Sequence, residues 1–487
     1  MPKIIYKGFI PDPKIYGFLI GRIVDIAHTP FSEAQLLPYL NRKLLHTIKG
    51  IDVQGTLKYS LKPYSSVDSS IKIKCNRCLN EELLHFVQFF CKKCQAMCVY
   101  CRKCINMGRI SVCTKLLSLP SPTYENHQYI AFGMSKVWKT KHSFRWGGTL
   151  TPLQQKASIE LAESLQAKRE HIVHAVCGAG KTELLFAPID QLLQQGKRIC
   201  VATPRTDVVL ELFPRFRQAF PDTNVQALYG GAALNIQYSP LLLATTHQLY
   251  RFQQAFDAVI VDEADAFPYI YDETLQQAVQ KAKKKNAAVA YVTATPSPLL
   301  KRKMEQNAVS FSMIPKRFHN FPLPIPQNRS LLFYELQIKK GYLPKRLKQW
   351  LHHQLIAQRP YLLFFPTIEL MNTALPLVQQ IDPTAMSVHA QDEKRKEKVM
   401  LLRQEKVNGL LTTTILERGV TIKNVQVAVI GAEQSIFNAN ALIQIAGRVG
   451  RNIAYPNGEV LFFHHGITYE MDRAIRTINN HNSEANF

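Results

Sequence analysis

The apolar run Ile172–Val176 feeds directly into Ala175-Val-Cys-Gly-Ala-Gly-Lys-Thr182, and nothing else in the 487-residue chain restricts its fold as narrowly. Gly178 and Gly180 let the backbone curl so that successive N–H groups converge on a phosphate, and a helix beginning there adds its positive end. The arrangement works only where a buried strand hands over to a helix, which specifies an α/β sheet. Lys181 is placed to reach the β- and γ-phosphates, and the Thr182 hydroxyl to bind Mg²⁺. The predicted nucleotide contacts are Gly178, Ala179, Gly180, Lys181, Thr182 and Glu183. Ala175 stands where the general pattern has glycine.

The surrounding sequence repeats this logic. Apolar runs at Ile172–Val176, Arg198–Thr203, Ala258–Val261 and Val289–Thr293 alternate with helix-length segments. After the crossing Phe321-Pro-Leu-Pro-Ile-Pro326 a second set follows, at Tyr361–Phe365, Gly409–Thr414, Gln426–Ile430 and Glu459–Phe463. Continuous apolar strands alternating with helices imply parallel sheets covered on both faces. The expected organisation is one α/β lobe over 145–325 and another over 326–487, preceded by a basic region over 1–120 and a linker over 121–144. No stretch approaches the ~20 apolar residues of a membrane span. Met1-Pro-Lys-Ile-Ile-Tyr-Lys7 lacks the pattern of a secretory signal. Both predict a cytoplasmic protein without direct membrane insertion.

Hydrolysis needs more than a phosphate loop. Ala258-Val-Ile-Val-Asp-Glu-Ala-Asp265 is a buried strand ending in acids: Asp262 is suited to hold Mg²⁺, and Glu263 to orient and deprotonate the attacking water. Asp265 suits a solvated acidic turn. In the second lobe, Gln444-Ile-Ala-Gly-Arg-Val-Gly-Arg451 places Arg448 and Arg451 three apart. On a helix they would share a face and both could reach a γ-phosphate. The plain alternative is that either one makes a structural ion pair.

Charge and cysteines describe the N-terminal third. The formal net charge is +24, and residues 1–145 hold 22 Lys and Arg against 8 Asp and Glu, which suggests a polyanionic partner. Seven of the ten cysteines lie between Cys75 and Cys104, and in a cytosolic chain such clustering reads as metal ligation. Cys75-x-x-Cys78 and Cys101-x-x-Cys104 together complete a tetrahedral Zn²⁺, yet Cys91-x-x-Cys94 is an equally good second pair. A second zinc on Cys91, Cys94, Cys98 and a fourth donor is a further arrangement. Cys113, Cys177 and Cys200 read as inert. Lys92, Lys93, Arg102, Lys103 and Arg109 surround the module, which either grips DNA or only holds a small domain together.

Taken in order, these motifs resemble a superfamily 2 helicase core over about 145–480. The resemblance implies two RecA-like lobes, with Thr151-Pro-Leu-Gln154 as the adenine-reading motif, Gln154 as the base contact, and Thr293-Ala-Thr295 linking the ATP site to the nucleic-acid track. It also implies backbone contacts from Arg205 in Thr203-Pro-Arg-Thr206, Gly230, Gly231, Thr245 and Thr246 in the first lobe. His389, Thr413 and Glu417 in Thr412-Thr-Thr-Ile-Leu-Glu-Arg-Gly419 and its surroundings would serve from the second. Hydroxyls, glycine N–H groups and arginine suit phosphate contact without reading sequence.

Over most of its length the chain resembles, more finely, the ComFA family of late-competence DNA-uptake ATPases. The matching residues are Cys75-Asn-Arg-Cys78, Tyr100-Cys-Arg-Lys-Cys104 with Met107-Gly-Arg109, the phosphate loop through Glu183, Ala202–Val209 and Thr412–Gly419. This resemblance favours Cys101 and Cys104 as the second zinc pair. It implies ATP, Mg²⁺ and Zn²⁺ as cofactors and a motor, peripheral at the inner membrane, that draws in single-stranded DNA. A membrane DNA-channel protein and a phosphoribosyltransferase-fold competence protein are the implied partners. Gln444-Ile445 replaces the His-Arg of ordinary DEAD-box RNA helicases, and Glu417 is typical of DNA translocases; both favour DNA. The alternatives are an RNA helicase and a nucleotide-switched DNA-binding scaffold. Arg317-Phe-His319 has no account beyond a loop contact.

Overall fold

The computed structural model describes residues 12–55, 57, 71–119, 142–232, 237–417 and 421–485. Met1–Lys7, Arg418, Gly419 and the expected linker up to residue 141 lie outside them. The described residues group into two compact units, Met1–His174 with Thr182–Ser312 and Ala175–Lys181 with Met313–Phe487.

A seven-stranded sheet is built in the order Val225–Leu228, Leu241–Thr245, Ile199–Thr203, Phe256–Asp262, Lys283–Thr293, Glu170–Ala175, Ser310–Ile314. The pairs from Val225–Leu228 through Glu170–Ala175 are parallel. Leu241–Thr245 and Ile199–Thr203 are buried at every residue, because helices cover both faces and leave no side for water. Helix Glu273–Ala282 shows how: Thr274, Leu275, Ala278, Val279 and Ala282 form its buried stripe, the spacing of one helical face.

Three small antiparallel assemblies precede this sheet. Lys115–Ser118 lies between Ile23–Asp25 and His46–Lys49, Ile51–Gln54 pairs with Lys72–Cys75, and Phe86–Cys91, Ala96–Cys101 and Ile110–Ser111 form a three-stranded sheet. Part of their core is shared: Ile51, Cys75, Phe86 and Ile110 belong to the same buried cluster as Leu249, Tyr250, Phe252 and Val279, while Phe18, Tyr39, Leu45 and Leu117 form a second cluster and Phe89, Cys91 and Cys98 a third. Two buried arginines fix the junction. Arg198 donates to the carbonyls of Ile20 and Ser239 at 3.0 and 3.1 Å, and Arg22 lies over Phe18 and Phe252 at 4.5 and 5.4 Å. Lys103, one of the cations around the cysteine module, pairs with Asp272 at 3.2 Å. Arg109 stacks on Phe89 and Tyr100.

The second unit carries a six-stranded sheet with every pair parallel, in the order Gln327–Ser330, Val460–His464, Gln426–Ile430, Tyr361–Phe364, Gly409–Thr412, Met386–Val388. The expected strands are all present; the added edge strands Gln327–Ser330 and Met386–Val388 are short and only partly buried, so they lack an apolar run. Phe321–Pro326 has no regular structure.

His171 yields a pH prediction. Its ring nitrogens bond Ser164 Oγ and Ser312 Oγ at 3.0 and 2.9 Å, and burial holds its pKa at about 4 against an ordinary 6.5. The unfolded chain therefore takes up the proton first, so stability is constant above the ordinary value and falls as pH drops through this window. Urea midpoints at pH 7 and pH 5 should differ more for the wild type than for His171→Gln; equal differences would remove His171 as a cause.

Candidate active site and metal centre

Three adjacent strands bring the motifs to one edge. In parallel register Asp262 lies opposite Val292, and Thr293 opposite His174. The acids, Thr293-Ala-Thr295 and the start of the phosphate loop therefore leave the sheet at the same level, at the carboxyl ends of their strands, where such sheets bind ligands.

Asp262 is 8 % exposed and its Oδ1 accepts from the Glu263 N–H at 3.0 Å. Glu263 has a φ of 54°, a left-handed conformation that costs a non-glycine residue free energy and is concentrated at functional sites. It turns the chain sharply straight after the strand. Asp265 is not a solvated turn residue. It is 6 % exposed and its two oxygens accept from Thr293 Oγ1 at 2.7 Å and Thr295 Oγ1 at 2.5 Å. The reason is the register: the neighbouring strand ends in hydroxyls that reach across to the acid, so the two motifs form one hydrogen-bonded unit.

The helix that follows strand Ile199–Thr203 adds a residue with no sequence signal. Arg215, from helix Thr206–Ala219, donates to Thr182 Oγ1 at 3.2 Å and pairs with Glu183. Gln154 caps its own helix: Oε1 accepts from the Thr151 N–H at 2.8 Å, and Thr151 Oγ1 accepts from the Gln154 N–H at 3.3 Å.

In the unit holding Ala175–Lys181, Cys177 Sγ donates to Gln444 Oε1 at 3.1 Å. A Cβ on Gly447 would lie 2.5 Å from Cys177 Cβ, so only glycine permits this approach. Helix Ala439–Ala446 ends here, and Arg448 and Arg451 therefore lie beyond it, not on a helical face as expected. Gly450 has a φ of 71°, and a Cβ there would meet the Pro456 carbonyl at 2.1 Å; the turn it makes stops the helix from continuing. Arg448 is 2 % exposed with Nε on the Glu417 carbonyl at 2.8 Å. Arg451 is half-buried, with Nε on the Gly447 carbonyl at 2.9 Å.

The candidate nucleic-acid contacts differ in availability. Gly230 and Gly231 are exposed, with open space where a Cβ would stand. Arg205 is held by Asp207 at 2.9 and 3.2 Å. Thr245 and Thr246 are buried, while His389, Thr413 and Glu417 are half-buried.

The cysteines separate into two groups. Cys75, Cys78, Cys101 and Cys104 are buried with their sulfurs all within 4.8 Å of one another, including 3.9 Å between Cys75 and Cys104 and 3.6 Å between Cys78 and Cys101. Zinc–sulfur bonds of about 2.3 Å require tetrahedral sulfurs about 3.8 Å apart, so the set fits Zn²⁺. Arg77, between the first pair, donates to the carbonyls of Met107, Cys104 and Gly108 at 2.9, 2.6 and 2.6 Å. It ties one knuckle to the other, and this explains why Met107-Gly108 accompanies the cysteines. Cys91 and Cys94 are not the partners of Cys75 and Cys78. They group instead with Cys98 and with Cys113, which is thus not isolated.

A P-loop lobe whose strand ends carry Asp-Glu-Ala-Asp and Thr-Ala-Thr, with a second parallel-sheet lobe bearing the arginine pair, is a superfamily 2 helicase-type ATPase. Residues 148–298 match the family "Type III restriction enzyme, res subunit", and residues 344–453 the "Helicase conserved C-terminal domain". Residues 10–118 match the "Competence protein ComFA N-terminal domain". The chain is 42% identical over 449 residues to competence protein ComFA of Bacillus subtilis (strain 168), covering 91% of this chain and 94% of that one. It is 34% identical over 410 residues to competence protein ComFA of Streptococcus pneumoniae (strain ATCC BAA-255 / R6), covering 82% and 91%. The chain belongs to the ComFA family of competence proteins. Among solved structures, S. cerevisiae Dbp5 bound to RNA and ADP BeF3 superposes with a TM-score of 0.52 at 14% identity, over 68% of this chain and 88% of that one; this likeness is one of fold. No described helix is long and apolar enough to cross a membrane.

Proposed function

We propose that this ATPase is stimulated by single-stranded DNA, translocates along it, and drives its import into the cytosol during competence. The supporting observation is the meeting of Asp262-Glu263, Thr293-Ala-Thr295 and the phosphate-loop strand at one sheet edge, in a chain of net charge +24. Lys181 holds the β- and γ-phosphates, with Gly178, Ala179, Gly180, Thr182 and Glu183 around them and Gln154 at the base. Glu263 orients the water and takes its proton, while Arg448 and Arg451 face the terminal phosphate. Magnesium, held by Thr182 and Asp262, would neutralise charge on the phosphate oxygens. Asp265 transmits the state of this site to Thr293 and Thr295. Gly230 and Gly231 offer backbone N–H groups to DNA phosphates, joined by Arg205, Thr245, Thr246, His389, Thr413 and Glu417.

In this reading 1–120 is the zinc-bearing module, 121–144 the linker, and 145–325 and 326–487 the motor lobes. A membrane DNA-channel protein and a phosphoribosyltransferase-fold competence protein would hold the motor peripherally at the inner membrane.

The test is steady-state ATP hydrolysis at one salt concentration, without nucleic acid and with single-stranded DNA, duplex DNA or RNA. Stimulation by single-stranded DNA alone is expected; stimulation by RNA alone selects an RNA helicase, and no hydrolysis at all a nucleotide-switched scaffold. Within that assay Lys181→Ala should lose turnover through weakened nucleotide binding. Glu263→Gln should still bind ATP but hydrolyse it about 10²–10⁴-fold more slowly. Normal turnover in that variant would remove Glu263 from its role.

A further inference from the structure

We infer that the chain carries a second zinc, bound by Cys91, Cys94, Cys98 and Cys113 at the tip of the hairpin Phe86–Cys91 and Ala96–Cys101. The hairpin register sets Cys91 opposite Ala96 and Phe89 opposite Cys98, which brings Cys91, Cys94 and Cys98 together around the turn. The fourth sulfur comes from outside it: Ile110–Ser111 pairs with Tyr100 and Cys101 and delivers Cys113, whose Sγ lies 3.6 Å from that of Cys91. All four sulfurs lie within 4.8 Å of one another, the spread of a tetrahedral tetrathiolate. Such soft, closed sets select zinc among freely exchanging divalent ions. Zinc with four thiolates leaves two negative charges, and the turn carries exposed Lys92 and Lys93 to offset them. The hairpin is then braced by metal at both ends, since Cys101 belongs to the other set.

Zinc per chain, measured by mass spectrometry on the full-length protein purified under reducing conditions, tests this. The expected values are two for the wild type and one for Cys113→Ser and for Cys94→Ser. Cys94 is exposed, so its variant decides the matter even where Cys113→Ser fails to fold. One zinc in the wild type, iron in place of the second zinc, or two zincs retained in Cys94→Ser would overturn the assignment.

An independent observation concerns Arg317-Phe-His319. Arg317 is 1 % exposed; its Nη1 donates to the Gly450 carbonyl at 2.8 Å, while Nε and Nη2 have no partner among the described residues. Its methylenes lie against Gly178, where a Cβ would come within 3.6 Å of them. Phe318 N–H donates to the Gly178 carbonyl at 3.1 Å, and His319 Nε2 bonds the Gly450 carbonyl at 2.9 Å. The segment thus ties the phosphate loop to the turn bearing Arg451. Burial, then the charge of Arg451, lower the Arg317 pKa to about 10, so the two cations repel until an anion lies between them.

We propose that Arg317 reads the terminal phosphate of a nucleoside triphosphate through Nε and Nη2; this rests on Ala175–Thr182 being the phosphate loop. In a Glu263→Gln background, which holds ATP unhydrolysed, Arg317→Gln should weaken ATP binding by about tenfold or more and leave ADP binding within about twofold. Arg317→Lys keeps bulk and charge but not the forked donors, and should show the same selective loss. Equal weakening of ATP and ADP in both variants would reduce Arg317 to a structural strut. A Glu263→Gln parent that binds neither nucleotide would instead overturn the phosphate-loop reading.

Discussion

Arg451→Ala is expected to lower kcat by roughly 10³–10⁵ while ATP affinity changes far less, the effect of losing an arginine that meets charge developing on the transferred phosphoryl group. The two arginines are not equivalent. Arg448 is buried and its Nε is spent on the Glu417 carbonyl, so its removal disturbs packing as well as the site. Arg451 is half-buried on a turn fixed by Gly447 and Gly450, where a side chain can be engaged without unfolding its surroundings. Turnover and nucleotide Kd, measured separately at saturating single-stranded DNA, check this. A variant with normal kcat and weakened ATP binding would show that Arg451 contributes ground-state binding only.

Cys78→Ser is expected to release the zinc held with Cys75, Cys101 and Cys104 and to open the N-terminal region to protease. Structural zinc supplies roughly 10–16 kcal/mol of apparent binding free energy to small domains, well beyond an ordinary core substitution. The four sulfurs sit inside the cluster that joins the antiparallel strands to Leu249, Tyr250 and Val279. Loss should therefore reach helix Glu273–Ala282, whose Lys281 donates to the carbonyls of Arg77 and Tyr250. Limited proteolysis with mass mapping should find new cuts between residues 76 and 112. An unchanged digestion pattern in zinc-depleted protein would mean that packing alone holds the region.

Most strands of both lobes are legible because burial on both faces demands continuous apolar runs, as at Ile199–Thr203 and Gln426–Ile430; Leu241–Thr245, equally buried inside its sheet, is not among those expected. Edge strands such as Gln327–Ser330 are not legible, since half-solvated strands carry no such run. The helix expected through Arg448 and Arg451 stops at Ala446, because a turn forced by close approach at Gly447 and by positive φ at Gly450 depends on what lies opposite. Asp265 reads as a surface acid until the adjacent strand supplies its two threonines.

The sequence by itself determined the chemistry of the site: which residues can hold phosphate, magnesium, water and zinc follows from side-chain type and short spacing, and that information is local. Only the tertiary structure decided the groupings. Cys113 with Cys91, Arg77 across two knuckles, Arg215 on Thr182 and Arg317 on Gly178 join segments distant in the chain. Their proximity is set by sheet order and packing, which short-range patterns do not encode.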